Sequence, residues 1–241
     1  DLRGKMEMHD HKPHSIACGG QAPRYRLPRR AVAAFVWAAI MKRSRSFAQD
    51  AQIAIAGLCP ALKVRGAEEI PVRGPLLVTC NHYSRPSFGA WWLALAITAA
   101  IAIRRAPDAA LQVHWVMTAA WTFPDRWRRW TLTPLTRWAF GRVALVYGFV
   151  KMPPMPPDPN EVEARAIAVL RTVRLARRIA CEDGVLGLAP EGRDVPAGLG
   201  VPPEGAGEFI ALLVSAGLSV LPVGVAECGG RLCLSFGPPF V

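Results

Sequence analysis

The pair Asn81-His82 and the turn Pro190-Glu191-Gly192-Arg193 hold the side chains in this chain best suited to chemistry. Asn81-His82 closes the apolar run 75–80 and is followed by Tyr83-Ser84-Arg85-Pro86-Ser87. A buried strand that ends there and turns into a helix at a proline sets an imidazole on the carboxyl edge of a sheet, where α/β folds place their sites. Imidazole titrates near neutrality, so it can take and return a proton. A second apolar run, 185–189, ends in the Pro190-Glu191-Gly192-Arg193 turn. Two polar strand ends in one chain suggest one site assembled from both. Taken singly, Asn81-His82 could cap the helix that starts near Pro86, and 190–192 could be an ordinary turn.

The elements that must position these residues follow from periodicity. Strands are predicted at 61–66, 75–80, 112–117, 142–147, 185–189, 219–225 and 231–236, with helices at 86–103, 125–140, 160–182 and 205–217. Strands alternating with helices predict an α/β domain with a mixed, largely parallel sheet of about seven strands covered by helices. The 160–182 helix has the clearest signal: Asn160 as its cap, Glu161 and Glu163 at the positive end, a stripe of Val162, Ala166, Val169, Val173, Ala176 and Ala180, and Gly184 just beyond. Proline-rich 152–159 is an extended connector. The expected organisation is a mobile tail at 1–28, a helical membrane-docking segment at 29–58 and the α/β domain at 59–241. His9, His11 and His14 fall in the tail, and no metal site is expected from them.

At 241 residues the chain can bury a full core as a single domain. Hydrophobic residues make up 51% and charged residues 20%, apolar for a soluble protein but far from a multi-span membrane protein. The net charge of +11 favours anionic partners such as phospholipid headgroups or phosphorylated carriers. Cysteines stand at 18, 59, 80, 181, 228 and 233 with no CxxC pair, so thiols in a reducing compartment are expected. Residues 31–41 are apolar, flanked by Arg29, Arg30, Lys42 and Arg43, and too short to span a bilayer; an interfacial helix fits them. Eighteen uncharged residues between Arg85 and Arg104 read as a buried or partly lipid-immersed helix. Between 121 and 138, Trp121, Trp127, Trp130 and Trp138 interleave with Arg126, Arg128, Arg129 and Arg137, a mixture suited to lipid headgroups, to stacking on single strands or to plain surface packing.

In order and spacing these motifs resemble the lysophospholipid acyltransferase superfamily, the glycerolipid acyltransferases with an N-H-x4-D motif. The likeness runs from about residue 60 to the C-terminus. Gly66-Ala67-Glu68-Glu69-Ile70-Pro71 resembles the lead-in to the first block, Asn81-His82 its N-H, Gly141 to Tyr147 the second block, Pro190-Glu191-Gly192 the third, and Leu221-Pro222-Val223 the fourth. The resemblance implies acyl transfer from acyl-CoA or acyl carrier protein to a lysolipid hydroxyl, with His82 as general base and no cofactor beyond the acyl donor. It implies an acceptor lined by Asn81, Ser84, Arg85, Arg142, Tyr147, Pro190, Glu191, Gly192 and Arg193, with arginines on phosphate. The expected partners are a phospholipid membrane surface and these substrates, without nucleic acid, and the expected location is the cytoplasmic face of a membrane, peripheral or monotopic.

Three positions depart from that pattern. The dyad aspartate position holds Ser87, which can accept a hydrogen bond but brings no charge; Asp125 and Asp194 are candidate substitutes. The second-block arginine position holds Tyr147, and Arg142, at an odd offset along a predicted strand, points to the other face. Arg193-Asp194 stand where a threonine usually follows P-E-G. An acceptor other than a simple glycerol phosphate is expected.

Overall fold

The central apolar runs become neighbouring strands of one sheet. The computed structural model describes residues 25–86, 88–105, 111, 113–154, 159–195 and 199–241. Seven strands, β1 (Lys63–Arg65), β2 (Leu76–Cys80), β3 (Val113–Thr118), β4 (Val150–Met152), β5 (Val185–Leu188), β6 (Ser219–Cys228) and β7 (Arg231–Phe236), form the order β1-β7-β6-β2-β5-β3-β4. Neighbours are parallel except in the β6–β7 hairpin. The chain is therefore a single α/β domain with the mixed, largely parallel sheet expected of it. β2 and β5 are buried along nearly their whole length, as strands covered on both faces must be.

The helices α1 (Arg29–Ile40), α2 (Phe47–Ala56), α3 (Trp91–Arg105), α4 (Arg126–Tyr147), α5 (Val162–Cys181) and α6 (Ala206–Ser215) complete the described elements. Leu76, Val78 and Cys80 of β2 pack into one cluster with α2 and α3, and the intervening Leu77 packs into the other with α5 and α6. This period-two alternation gives the sheet a core on each face. α3 is a core helix: ten of its residues are buried, and its buried Thr98 accepts a hydrogen bond from the Trp115 indole N–H at 3.1 Å. Among the described residues no helix is long and apolar enough to cross a membrane. The 29–58 segment divides in two. α1 leaves Val32, Val36, Trp37 and Ile40 exposed, whereas α2 buries Phe47, Ala48, Ala51 and Ala54 in the core.

Four expectations are corrected. Residues 142–147 are the last turns of α4, not a strand. A short apolar run does not tell helix from strand by itself, and Gly148, with φ 67°, ends the helix so that the strand comes only after it, as β4. The α5 cap is Glu161, with a single 3₁₀ turn (Pro159–Glu161) before it, rather than Asn160. Of the expected stripe, Ala176 is buried and Val173 and Ala180 pack against the core, but Val162 is 66% exposed, and Ala168, Thr172 and Ile179 complete the buried face. The small residues Ala168 and Thr172 face the core, and the Thr172 hydroxyl is satisfied by donating to the Ala168 carbonyl at 2.8 Å. Finally, Cys59 is disulfide-bonded, where thiols were expected throughout.

β5 shows how tightly the middle of the sheet is packed. A Cβ on Gly187 would stand 2.4 Å from Cδ2 of Trp115, whose ring is buried and anchored on Thr98. Gly187→Ala should therefore cost at least about 2 kcal/mol, because overpacking forces backbone or ring displacement. Chemical denaturation checks this; a midpoint equal to the parent's contradicts it.

Candidate active site

Register brings the two polar strand ends together. Thr79 of β2 lies opposite Leu188 of β5 in a parallel pair, so Asn81-His82 and Ala189-Pro190-Glu191 leave the sheet from the same carboxyl edge. β6 runs on past that edge, since Cys80 is already paired with its Val223. Asn81 uses this overhang. Its side-chain amide donates to the Val225 carbonyl (2.9 Å), and its oxygen accepts from the Val225 N–H (2.6 Å). The amide thus acts as one more residue of strand pairing.

Gly192, at φ 63°, closes a turn in which its N–H donates to the Ala189 carbonyl at 3.2 Å. The chain then runs back along 82–84. The Val195 N–H donates to the His82 carbonyl (2.9 Å), and the Ser84 N–H donates to the Val195 carbonyl (3.1 Å). Glu191, only 4% exposed, secures both loops: its Oε2 accepts from the His82 N–H (2.7 Å) and its Oε1 from the Gly200 N–H (2.6 Å). Both carboxylate oxygens thus hold backbone. Beside it, burial and then the Glu191 charge push the Cys80 thiol up to about 12, so it is an inert packing group and not a nucleophile.

This pairing sets Asp194 next to the imidazole. His82 Nδ1 and Asp194 Oδ1 are 3.0 Å apart. Nδ1 is shut off from solvent, yet the carboxylate lies off its hydrogen-bonding axis, so the contact is an electrostatic pair rather than an aligned hydrogen bond. The Asp194 side chain is 69% exposed and the His82 side chain 21%, so the ring is partly open to solvent although its Nδ1 is not. A carboxylate beside one ring nitrogen of a partly exposed imidazole is a geometry that general-base chemistry can use. Ser87, at the position of the missing dyad aspartate, lies outside the described residues, as do His9, His11 and His14. Asp125 caps α4 by accepting from the Arg128 N–H at 2.9 Å.

Arg85 is not a free cation. Its Nε and Nη2 donate to Glu227 Oε2 (2.5 Å) and Oε1 (2.8 Å), a two-pronged pair that Tyr25 and Tyr83 complete by donating their hydroxyls to the same carboxylate. Burial pushes the Glu227 carboxyl up, but the hydrogen bonds from Arg85 and Tyr25 and the Arg85 charge outweigh it and hold the group below its ordinary range. Glu227 was not singled out in the sequence. Its signal is an acid at the end of an apolar strand, Val225-Ala226-Glu227-Cys228, which by itself marks only a strand leaving the core.

Arg142 and Tyr147, expected at the acceptor, sit elsewhere. The Tyr147 hydroxyl donates to Asp50 of α2 at 2.8 Å, in an aromatic group with Phe35, Phe47 and Phe149. Arg142 donates to the Ala39 carbonyl of α1 at 3.4 Å and stacks over Trp138. Because both lie on a helix, the expectation that an odd strand offset turns Arg142 to the other face does not apply. The structure thus gathers Asn81, His82, Ser84, Arg85, Pro190, Glu191, Gly192 and Arg193 at one edge and leaves Arg142 and Tyr147 with α1 and α2. At that edge Arg193 is exposed, in contrast to Arg85.

No family model matches the chain, and no curated protein matches it. Among solved structures it is similar to the crystal structure of the 1-acyl-sn-glycerophosphate (LPA) acyltransferase PlsC from Thermotoga maritima, with 14% sequence identity and a TM-score of 0.44 over 88% of this chain and 73% of that chain. A likeness of that extent carries no conclusion about the reaction.

Two measurements probe this construction. Glu191→Ala strands two buried N–H groups and should cost roughly 2–4 kcal/mol in denaturant titration; an unchanged midpoint would mean the two loops are held in another way. A carboxyl held below its ordinary range binds fewer protons folded than unfolded, so its stabilisation is present above the ordinary carboxylate range and is lost as pH falls through the lowered value. Glu227→Gln should therefore be less stable at neutral pH and show a flatter acid limb in melting temperature against pH. An acid limb as steep as the parent's contradicts the assignment.

Proposed function

We propose that this protein transfers a fatty acyl group from the thioester of acyl-CoA or acyl carrier protein to a hydroxyl of a lysophospholipid or related lipid at a membrane surface. The reading is supported chiefly by the partly exposed His82 ring, set at the strand end with Asp194 at 3.0 Å from its Nδ1. The accessible ring nitrogen takes the proton of the acceptor hydroxyl as its oxygen attacks the thioester carbonyl. The C–S bond then breaks, and the departing thiolate receives the proton from the imidazolium. Asp194 orients the ring and stabilises the imidazolium between these steps. It takes the part of the carboxylate missing at Ser87, supplied from the third block.

Arg85 is neutralised by Glu227, and Arg142 is engaged by α1. An acceptor phosphate would be met by Arg193, which is exposed next to Asp194. The apolar residues that α1 leaves exposed (Val32, Val36, Trp37 and Ile40) support a peripheral position on lipid. The misaligned His82–Asp194 contact favours a second reading, a lipid-binding protein on this fold with impaired catalysis.

Thioester consumption with long-chain acyl-CoA and a panel of lysolipids separates the two. His82→Ala should reduce turnover to background, a loss of roughly 10²-fold or more. Asp194→Asn should lower kcat about 10-fold to 10³-fold with little change in KM, less than the roughly 10⁴-fold seen for an aligned triad carboxylate. Equal turnover in parent and His82→Ala sinks the transferase; an undiminished Asp194→Asn removes Asp194 from the mechanism.

A further inference from the structure

We propose that the solvent face of α4 docks onto an anionic lipid surface, with Trp127, Trp130 and Trp138 entering the headgroup layer. At about 100° per residue, Trp127, Trp130, Pro134, Trp138 and Leu145 fall within about 80° of helix circumference. The opposite side carries Leu132, Thr136, Phe140 and Val143, all partly buried. That side faces the protein: the Thr136 hydroxyl accepts the Trp121 N–H at 3.1 Å, and the Phe140 ring meets Trp121 at 5.2 Å. The usual amphipathic order is thus inverted, with aromatic area toward solvent. Trp127 is 72% exposed, Trp130 75% and Trp138 61%.

Charge selects the occupant. The 22 residues of α4 include five arginines and no acid. By the same geometry Arg126 and Arg137 run along one edge of the tryptophan face; along the other run Arg128, paired with Asp125 at 3.5 Å, and Arg142, which also reaches the Ala39 carbonyl. Arg142 lies over the Trp138 ring at 5.7 Å, keeping a cation at the rim of the aromatic surface. Tryptophan flanked by arginine suits the bilayer interface, where the ring enters the boundary layer and the guanidinium meets phosphate. A second copy of this chain would set like arginine rims against each other in a protein of net charge +11. The helix is about 33 Å long and lies flat, because its arginines forbid insertion along its axis. The assignment rests on α4 alone and holds whether or not His82 transfers acyl groups.

Cosedimentation of the full chain with vesicles of phosphatidylglycerol and phosphatidylcholine, and with phosphatidylcholine alone, tests it. Partition should favour the anionic vesicles and weaken as salt rises from about 0.05 M to about 0.5 M. W127S/W130S/W138S should lower it by roughly tenfold or more with an unchanged circular dichroism spectrum. His82→Ala should partition like the parent, which separates this result from any failure of the acyltransfer reading. As a check that keeps the packing area, W127F/W130F/W138F should lose most of the quenching that brominated lipid imposes on the bound parent. Parent-like partition of the serine variant, or parent-like quenching of the phenylalanine variant, overturns the proposal. So does a serine variant that keeps vesicle binding but loses self-association or binding to a single-stranded oligonucleotide.

Discussion

One buried carboxylate joins the two halves of the candidate site. Glu191 comes from the loop after β5, yet it spends its two oxygens on the N–H of His82, after β2, and of Gly200, on the far side of the 192–195 strap. A polar group this buried needs hydrogen-bond partners, and here the donors are backbone groups whose positions it thereby sets. The loop pairing between 82–84 and 195 closes over it. The P-E-G turn is accordingly a structural clasp in this chain, with an acid whose charge faces inward, and Asp194 is its exposed consequence.

Around that clasp the charges are divided between held and free. Arg85 and Glu227 neutralise each other, with Tyr25 and Tyr83 completing the carboxylate's partners. Asn81 spends its amide on Val225. Groups still accessible at the edge include part of the His82 ring, the Asp194 carboxylate and Arg193. In the proposed acyl transfer, with Arg85 and Asn81 so engaged, discrimination between acceptors would fall chiefly to Arg193.

Much of the fold could be read from the residues because the central strands are unambiguous. Runs 76–80 and 185–188 are short, apolar and bounded by turn residues, which parallel strands buried on both faces require. The same property misled at 142–147, where an apolar run of strand length proved to be the end of a helix that continues past Pro134 and stops only at Gly148. α5 was legible as a helix and its buried face in part: Val173, Ala176 and Ala180 lie on the core side, but Ala168 and Thr172 pack inward as well while Val162 stays outside.

The amino-acid order alone determined which polar residues end the central strands, because hydrophobic run length and turn chemistry are local. His82 and the 190–192 turn were therefore visible as one candidate site. Local rules could not decide the partners of each charge. Asp194 beside the ring, Glu191 turned to backbone, Arg85 tied to Glu227 and Tyr147 to Asp50 each link positions between 97 and 142 residues apart or depend on a loop folding back across the edge. Electrostatic and hydrogen-bond pairing acts over a few ångströms of space, not along the chain, so only the sheet order and the return of the 192–195 strap could settle it.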